Sequence, residues 1–161
     1  MASVHFSLRH EFDAAPASVW RELVDWEGHA DWIPATRVQL HCTDPGVVGA
    51  EFTAWSGYRP LVLEDRMRVD SLEWDEGSGR GYCLVTKLGP VLTGTASFTV
   101  EPNGAGTAMD WVEDVVVPRV PQFLAPVAAR IGVVGFRFGM RRLARQLAEQ
   151  VSTAVDPART D

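Results

Sequence analysis

The chain has 161 residues, of which 22% are charged, and its formal net charge is −6 at pH 7. This length fits one domain built around one hydrophobic core. The acidic balance argues against nucleic acid as a partner, because nucleic-acid-binding domains carry a basic face.

The first predicted elements are a strand and two short helices. Apolar and polar residues alternate from Val4 to Phe12, which is typical of a strand with one buried face. Pro16 suits the first turn of a helix. A break at Gly28 separates this helix from a second short one, which ends before Pro34.

The middle of the chain, from Thr36 to Pro118, predicts about six further strands. Alternation continues there, and short turns such as Pro45-Gly46 and Asn103-Gly104 divide the runs. Short turns require antiparallel neighbours, because parallel pairs need long crossovers. In the run near residue 85, the pattern predicts Tyr82, Leu84 and Thr86 inward and Lys87 outward.

The last segment, Pro121 to Val151, predicts one long amphipathic helix. Its apolar stripe is bulky in the later half, whereas the earlier half carries small residues on that side. The small residues form the row Ala128, Gly132, Gly135 and Gly139. This row is explained equally well by a ligand cavity or by close packing of the helix backbone.

These elements predict an α+β fold. A curved antiparallel sheet of about seven strands wraps around the long C-terminal helix, and the two short helices follow the first strand. We expect a single domain over residues 1–151 and a disordered tail over residues 152–161. A hollow should remain where the helix side chains are small.

One stretch of the sequence resembles a known family. It runs Phe12-Asp13-Ala14-Ala15-Pro16-Ala17-Ser18-Val19-Trp20-Arg21-Glu22-Leu23-Val24-Asp25 and continues to Trp32. It is similar to the start of the START-like (SRPBCC, helix-grip) superfamily, in its polyketide cyclase/dehydrase branch. Where that family often has Trp-Pro, this chain has His29-Ala30. The resemblance implies a hydrophobic cavity, between sheet and long helix, that receives lipids, polyketides or quinone-like molecules.

Polar residues on the inward side of the predicted strands are candidates for catalysis. Asp65, Glu113 and Tyr82 could supply proton transfer for an aldol-type ring closure or a dehydration. A buried carboxyl must otherwise be paired or protonated, so a purely structural role stays open.

The residues expected to line a ligand site are the aromatic and apolar ones nearest to the predicted hollow. They are Trp32, Trp55, Tyr58, Met67, Tyr82, Leu84, Met109, Trp111, Ala129, Gly132, Phe136 and Met140.

No sequence motif indicates a cofactor or a metal site, and Cys42 and Cys83 are far apart without a CxxC motif. No apolar run approaches the ~20 residues of a membrane span, and no export signal is recognised, so a cytoplasmic location is expected.

Three functions remain open from the sequence. The first is binding of a small hydrophobic ligand, and the second is a polyketide cyclase or dehydratase. The third is docking of a partner on the basic ridge of the last helix, formed by Arg130, Arg137, Arg141, Arg142 and Arg145. Membrane contact and a homodimer stay open as further partners.

Overall fold

The structure is a computed structural model, and it describes residues 1–155. In chain order the elements are β1 (Ala2–Phe12), α1 (Pro16–Val24), α2 (His29–Trp32), β2 (Thr36–Leu40), β3 (Glu51–Tyr58), β4 (Leu61–Asp75), β5 (Arg80–Leu88), β6 (Thr93–Asn103), β7 (Gly106–Val117), a 3-10 turn (Gln122–Leu124) and α3 (Ala125–Val155).

The seven strands form one antiparallel sheet in the order β1-β7-β6-β5-β4-β3-β2. Consecutive strands from β2 to β7 are neighbours, as short connections require. The first strand returns to pair with the last, and the register places Leu8 opposite Trp111. The predicted α+β helix-grip fold, with its meander and its two short helices, is therefore confirmed.

Helix α3 packs on the sheet mainly through β1, and α1 and α2 close the end of the sheet near β6, β7 and β2. The helix extends to residue 155, so residues 152–155 are helical and the predicted tail began too early. There the Thr153 hydroxyl donates to the carbonyl of Glu149, one turn earlier in the helix. The rest of the predicted tail, 156–161, lies outside the described residues.

The two halves of α3 differ in burial. Met140, Leu143 and Leu147 of the later half are buried in the main core, whereas Val127 and Val134 of the earlier half are exposed. Bulky side chains therefore fill the space between sheet and helix at one end only. The hollow lies at the other end.

The segment Gln122–Thr153 is long and apolar enough to cross a membrane, judged by length and composition alone. Its most apolar window has a mean hydropathy of 1.4 and is 17% buried. The sequence contains no uninterrupted apolar run of that length. The mean hydropathy of the window is nevertheless high, because its many apolar residues outweigh the arginines between them. In the fold this helix lies along the concave face of the sheet.

Candidate functional site

A cavity of about 500 Å³ lies between the concave face of the sheet and the earlier half of α3. Its wall is mostly apolar, and every strand and α3 contribute to it. The lining residues are Val4, Phe6, Trp26, His29, Ile33, Pro34, Thr36, Phe52, Ala54, Ser56, Leu63, Asp65, Met67, Val85, Lys87, Leu92, Ala96, Phe98, Trp111, Glu113, Val115, Val117, Val120, Ala128, Ile131, Gly132, Gly135 and Phe136. A volume of this size is typical of sites for small molecules.

The glycines of α3 have different roles around this cavity. A Cβ added to Gly135 would meet no atom within 4 Å, so this glycine leaves open space beside the helix. A Cβ added to Gly132 would lie 2.7 Å from the ring of Phe6, and one at Gly139 would lie 3.3 Å from Trp32. Close packing therefore explains Gly132 and Gly139, whereas Gly135 is exposed and borders the open mouth of the cavity.

The mouth of the cavity lies beside the earlier half of α3. Ile131 lines the cavity although it is 69% exposed, and Leu63 of β4 is also both lining and exposed. Residues that line a cavity and also face solvent mark its opening. The rim is therefore largely apolar, which suits the passage of an apolar molecule.

Lys87, Asp65 and Glu113 form a charged cluster in the otherwise apolar wall. Lys87 Nζ lies 2.5 Å from Asp65 Oδ2 and 3.6 Å from Glu113 Oε2. The three side chains are only 4%, 13% and 8% exposed, respectively. Buried charges of this kind are retained only when they are paired, and here one ammonium group serves two carboxyl groups.

The order of the strands explains how these three residues meet. Asp65 is on β4, Lys87 is on the neighbouring β5, and Glu113 is on β7, two strands beyond β5. The intervening β6 carries only Gly94 and Ala96 at this level, opposite Lys87 and Glu113 respectively. Because strands are about 4.8 Å apart, the long lysine side chain can reach across β6 where those side chains are small.

Gly94 is required at its position. Its φ of +123° favours glycine, and an added Cβ would lie 2.1 Å from the carbonyl oxygen of Asp114.

Burial and charge act in opposite directions on the cluster. Burial disfavours the ammonium group, but the carboxylates of Glu113 and Asp65 outweigh it and raise the pKa of Lys87. Burial raises the pKa of Glu113, which the charge of Lys87 only partly offsets. The cluster therefore combines a firmly protonated lysine with a carboxyl group that takes up a proton more readily than usual.

Hydrogen bonding leaves one oxygen of the cluster free among the described residues. The indole Nε1 of Trp111 donates to Glu113 Oε1 at 3.3 Å. Asp65 Oδ2 accepts from Lys87, whereas Asp65 Oδ1 is buried and has no hydrogen-bond partner in the described part of the chain. A buried carboxylate oxygen without a partner leaves part of its desolvation cost uncompensated.

The buried imidazole of His29 is part of the wall on the α2 side. Its Nε2 pairs with the carbonyl oxygen of Leu23 at 2.8 Å, and burial lowers its pKa to about 4. Its neighbours are the rings of Trp26 and Trp32. At neutral pH this histidine is therefore an uncharged part of an aromatic wall.

Several residues singled out from the sequence lie in this site. Asp65, Glu113, Met67, Trp111, Gly132 and Phe136 all line the cavity. Trp111 stacks on Phe98, with ring centroids 5.3 Å apart, and packs at a tilt against Phe136, with ring centroids 4.7 Å apart.

The predicted inward face of β5 is wrong, and this affects two expected site residues. Cys83, Val85 and Lys87 are the buried residues of this strand, so Tyr82 and Leu84 lie on its other face, away from the cavity. Thr86 is also on that face, where its hydroxyl donates to Asp70. Tyr82 therefore cannot act with Asp65 and Glu113. Lys87, which was predicted to face outward, points inward and lines the cavity.

Two other aromatic residues lie outside the cavity. Trp55 is on the outer face of β3, where Arg37 lies 4.3 Å from its ring centroid and Glu64 accepts from its Nε1. Tyr58, at the end of β3, is 79% exposed. The prediction that Trp55 and Tyr58 line the ligand site is therefore wrong.

Four further predicted wall residues are packed elsewhere. Trp32, Met109 and Met140 are completely buried in the core and do not reach the cavity. Ala129 packs near the start of β1, beside Val4.

Lys87 and the wall formed by Trp26, Phe52 and Phe98 were not predicted from the sequence. Trp26 stacks on Phe52 with ring centroids 4.7 Å apart, and its Nε1 donates to the carbonyl of Pro45. A signal for Lys87 did exist, because two inward carboxyls in one apolar core require a nearby cation.

Metal binding has no support in residues 1–155, where no group of three or more His, Cys, Asp or Glu side chains could hold an ion.

Comparison with known proteins agrees with this architecture. A family model described as "Polyketide cyclase / dehydrase and lipid transport" matches residues 3–148. No curated protein matches the chain.

Solved structures share the fold at low sequence identity. Protein TTHA0849 from Thermus thermophilus has a TM-score of 0.70 and 12% identity, covering 91% of this chain and 98% of its own. A START superfamily protein from Mycobacterium smegmatis has a TM-score of 0.67 and 12% identity, covering 91% and 98%. The structure of Ara h 8.0201 has a TM-score of 0.63 and 15% identity, covering 92% and 99%. The chain therefore belongs to the polyketide cyclase/dehydrase and lipid transport family, and it shares its fold with a START superfamily protein.

Proposed function

We propose that this protein binds a small hydrophobic molecule in the cavity between the sheet and α3. The observation that carries the proposal is an apolar cavity of about 500 Å³ in a chain whose family is described by lipid transport and polyketide chemistry. Burying an apolar ligand there gains about 25 cal/mol for each Å² removed from water. The apolar rim beside Ile131 would be the route of entry.

Native mass spectrometry tests this proposal on the purified protein, by detecting a retained small molecule. Fluorescence titration with the neutral apolar probe N-phenyl-1-naphthylamine then measures the affinity of the cavity directly. We expect saturable binding with one site per chain. Absence of both a retained molecule and probe binding would contradict the proposal.

A leucine at position 135 tests the location of the site. Gly135→Leu places a bulky side chain in the open space at the mouth, where a Cβ meets no atom within 4 Å. We expect its affinity for the probe to fall by about tenfold or more, because the added side chain occupies volume that the ligand needs. Arg137→Leu is the matched control, since it adds the same side chain on the exposed arginine row of α3. Equal affinities of the two variants would place the site elsewhere.

The charged cluster favours a second candidate function, a cyclase or dehydratase. In a dehydration, Asp65 would remove a proton from the carbon next to a ligand carbonyl. The electron pair of that C–H bond would form a C=C double bond as the C–O bond of a β-hydroxyl group breaks, and Glu113 would donate a proton to the leaving oxygen, which departs as water. Lys87 would act as a positioning residue for both carboxyl groups.

A pH–rate profile distinguishes this candidate from binding alone. With a β-hydroxy ketone of polyketide type as substrate, Asp65→Asn should remove the basic group and Glu113→Gln the acidic group, each lowering kcat by about 100-fold or more. Tyr82→Phe is the control, because Tyr82 lies on the other face of β5. Activity that is unchanged in the carboxyl variants would refute the catalytic assignment and leave the binding proposal intact.

A further inference from the structure

The charged cluster is placed where it would touch a ligand. Lys87, Asp65 and Glu113 line the cavity, so the cluster borders the space in which an apolar molecule would lie. The wall also carries the hydroxyl groups of Thr36 and Ser56, but these already have hydrogen-bond partners. Thr36 Oγ1 and Ser56 Oγ lie 2.7 Å apart, and Thr36 also donates to the carbonyl of Pro34.

The charges of the cluster oppose an anionic ligand. Two carboxyl groups share one ammonium group, and that group lies closest to Asp65, at 2.5 Å. A ligand carboxylate would add a third negative charge in a desolvated place and would compete with Asp65 for the lysine. In a low-dielectric site such a charge is costly.

The cluster also opposes a cationic ligand. An ammonium group near Asp65 would lie beside Lys87, whose own charge is held by both carboxyl groups. The raised pKa of Glu113 reduces the negative charge left to attract a second cation. An uncharged head group therefore meets the least electrostatic opposition.

Asp65 Oδ1 supplies the attraction. It is a buried acceptor with no partner among the described residues, although the other oxygen of the same carboxyl group is held by Lys87. Rotation of the Asp65 carboxyl group would bring this oxygen to a ligand hydroxyl, and the donated hydrogen bond would satisfy an oxygen that is otherwise unpaired. Hydrogen bonds to charged groups are stronger than neutral ones.

We propose that the Asp65–Lys87–Glu113 cluster selects uncharged amphiphiles whose polar end carries a hydroxyl donor, such as long-chain alcohols or phenols, and rejects the corresponding acids and amines. This inference rests on the proposed function, because it presumes that the cavity holds a ligand. It adds the class of ligand and the residue that recognises it.

Four decyl compounds test the proposal by displacement of N-phenyl-1-naphthylamine. Decan-1-ol carries a neutral donor, decyl methyl ether a neutral acceptor only, decanoate a negative charge and decylamine a positive charge. At pH 7.5 we expect decan-1-ol to bind about tenfold or more tightly than each of the other three.

Asp65→Asn tests the recognising residue. We expect the preference of this variant for decan-1-ol over decyl methyl ether to shrink to about twofold, with both affinities measured by displacement of N-phenyl-1-naphthylamine from the same variant. Asp70→Asn is the matched control, since it makes the same change on the opposite face of β4, where Asp70 pairs with Arg68 and Thr86. The control should keep the full preference.

Different results separate the two proposals. Failure of the wild-type protein to bind the probe and all four decyl compounds would overturn the proposed function and this inference together. Probe binding with equal affinities for the alcohol and the ether, or with tighter binding of decanoate or decylamine, would overturn the inference alone. An Asp65→Asn variant that binds the probe and keeps the full preference for the alcohol would also overturn it.

Discussion

Lys87→Met is the substitution whose effect follows most directly from the structure. Methionine keeps the unbranched stem of the side chain and removes the ammonium group that lies 2.5 Å from Asp65 and 3.6 Å from Glu113. Two carboxyl groups then face each other across an apolar cavity without a cation. The variant is therefore expected to fold with reduced stability.

The expected loss is about 3–5 kcal/mol at pH 8, which is the usual cost of removing one partner from a buried ion pair. The free-energy cost of a buried pair applies here because Lys87, Asp65 and Glu113 are only 4%, 13% and 8% exposed, respectively. For a chain of this size, 1 kcal/mol corresponds to a shift in Tm of about 2–4 °C. The Tm should therefore fall by about 6–20 °C.

The loss should depend on pH. The pKa of Glu113 is already raised by burial, and it rises further when Lys87 is gone. A carboxyl group whose folded-state pKa is raised contributes stability that is fully present below its unfolded pKa and is lost as the pH increases through the folded-state value. Lys87→Met should therefore be less destabilising at pH 5 than at pH 8, as measured by urea unfolding at both pH values.

Two controls define what would refute this reasoning. Arg66→Met breaks the exposed pair with Glu51, at 2.7 Å, and should cost less than about 1 kcal/mol. The triple variant Lys87→Met, Asp65→Asn, Glu113→Gln removes all charges of the cluster and should recover most of the loss. A Lys87→Met loss that equals the Arg66→Met loss, or that is the same at pH 5 and pH 8, would show that the cluster is not a desolvated ion pair.

Three further predictions concern helix packing, histidine and cysteine. Gly135→Ala should raise the free energy of unfolding by about 1 kcal/mol, because its Cβ meets no atom within 4 Å, whereas Gly132→Ala should lose that gain against a ring 2.7 Å away. Urea unfolding compares the two, and equal stabilities would contradict the packing described. Burial lowers the pKa of His29 from 6.5 to about 4, so the native state binds fewer protons and stability should fall by about 3 kcal/mol between pH 6.5 and pH 4. In His29→Gln this decline should be smaller, and an unchanged pH dependence would argue against a buried neutral imidazole. Burial raises the pKa of Cys83 to about 12, so iodoacetamide at pH 8 should modify the half-buried Cys42 first and reach Cys83 only in denaturant, as mass spectrometry can show. Equal labelling of both cysteines in the native state would contradict this.

The order of elements could be predicted because most strands have one buried face and one solvent-exposed face. In β1 the residues of one parity are buried and Ser3, His5 and Ser7 of the other are exposed, so the sequence alternates clearly. The long helix was equally clear from its 3.6-residue period. The antiparallel order then followed from short connections.

The inward face of β5 could not be read in the same way. Both parities contain two apolar residues and one polar residue, with Tyr82, Leu84 and Thr86 on one side and Cys83, Val85 and Lys87 on the other. A lysine is normally exposed, so the local pattern favoured the wrong face. Lys87 faces inward because it pairs with the carboxyl groups of Asp65 and Glu113, which lie on other strands and are not visible in the pattern of β5.

The glycines of α3 show a second limit of sequence reasoning. Gly132 and Gly135 are three residues apart on the same helix and are the same residue type, yet one packs on a ring and the other borders open space. The difference arises from Phe6 of β1, more than a hundred residues earlier in the chain. Only the tertiary structure can separate a packed glycine from one beside a cavity.

The hollow under α3 also has a mechanical consequence. Unfolding abolishes internal voids, so any part of the cavity of about 500 Å³ that neither water nor a ligand fills adds to the volume lost when the chain unfolds. Hydrostatic compression should therefore denature the empty protein at lower pressures than a solidly packed domain of equal thermal stability. A molecule seated inside the fold should remove much of that weakness.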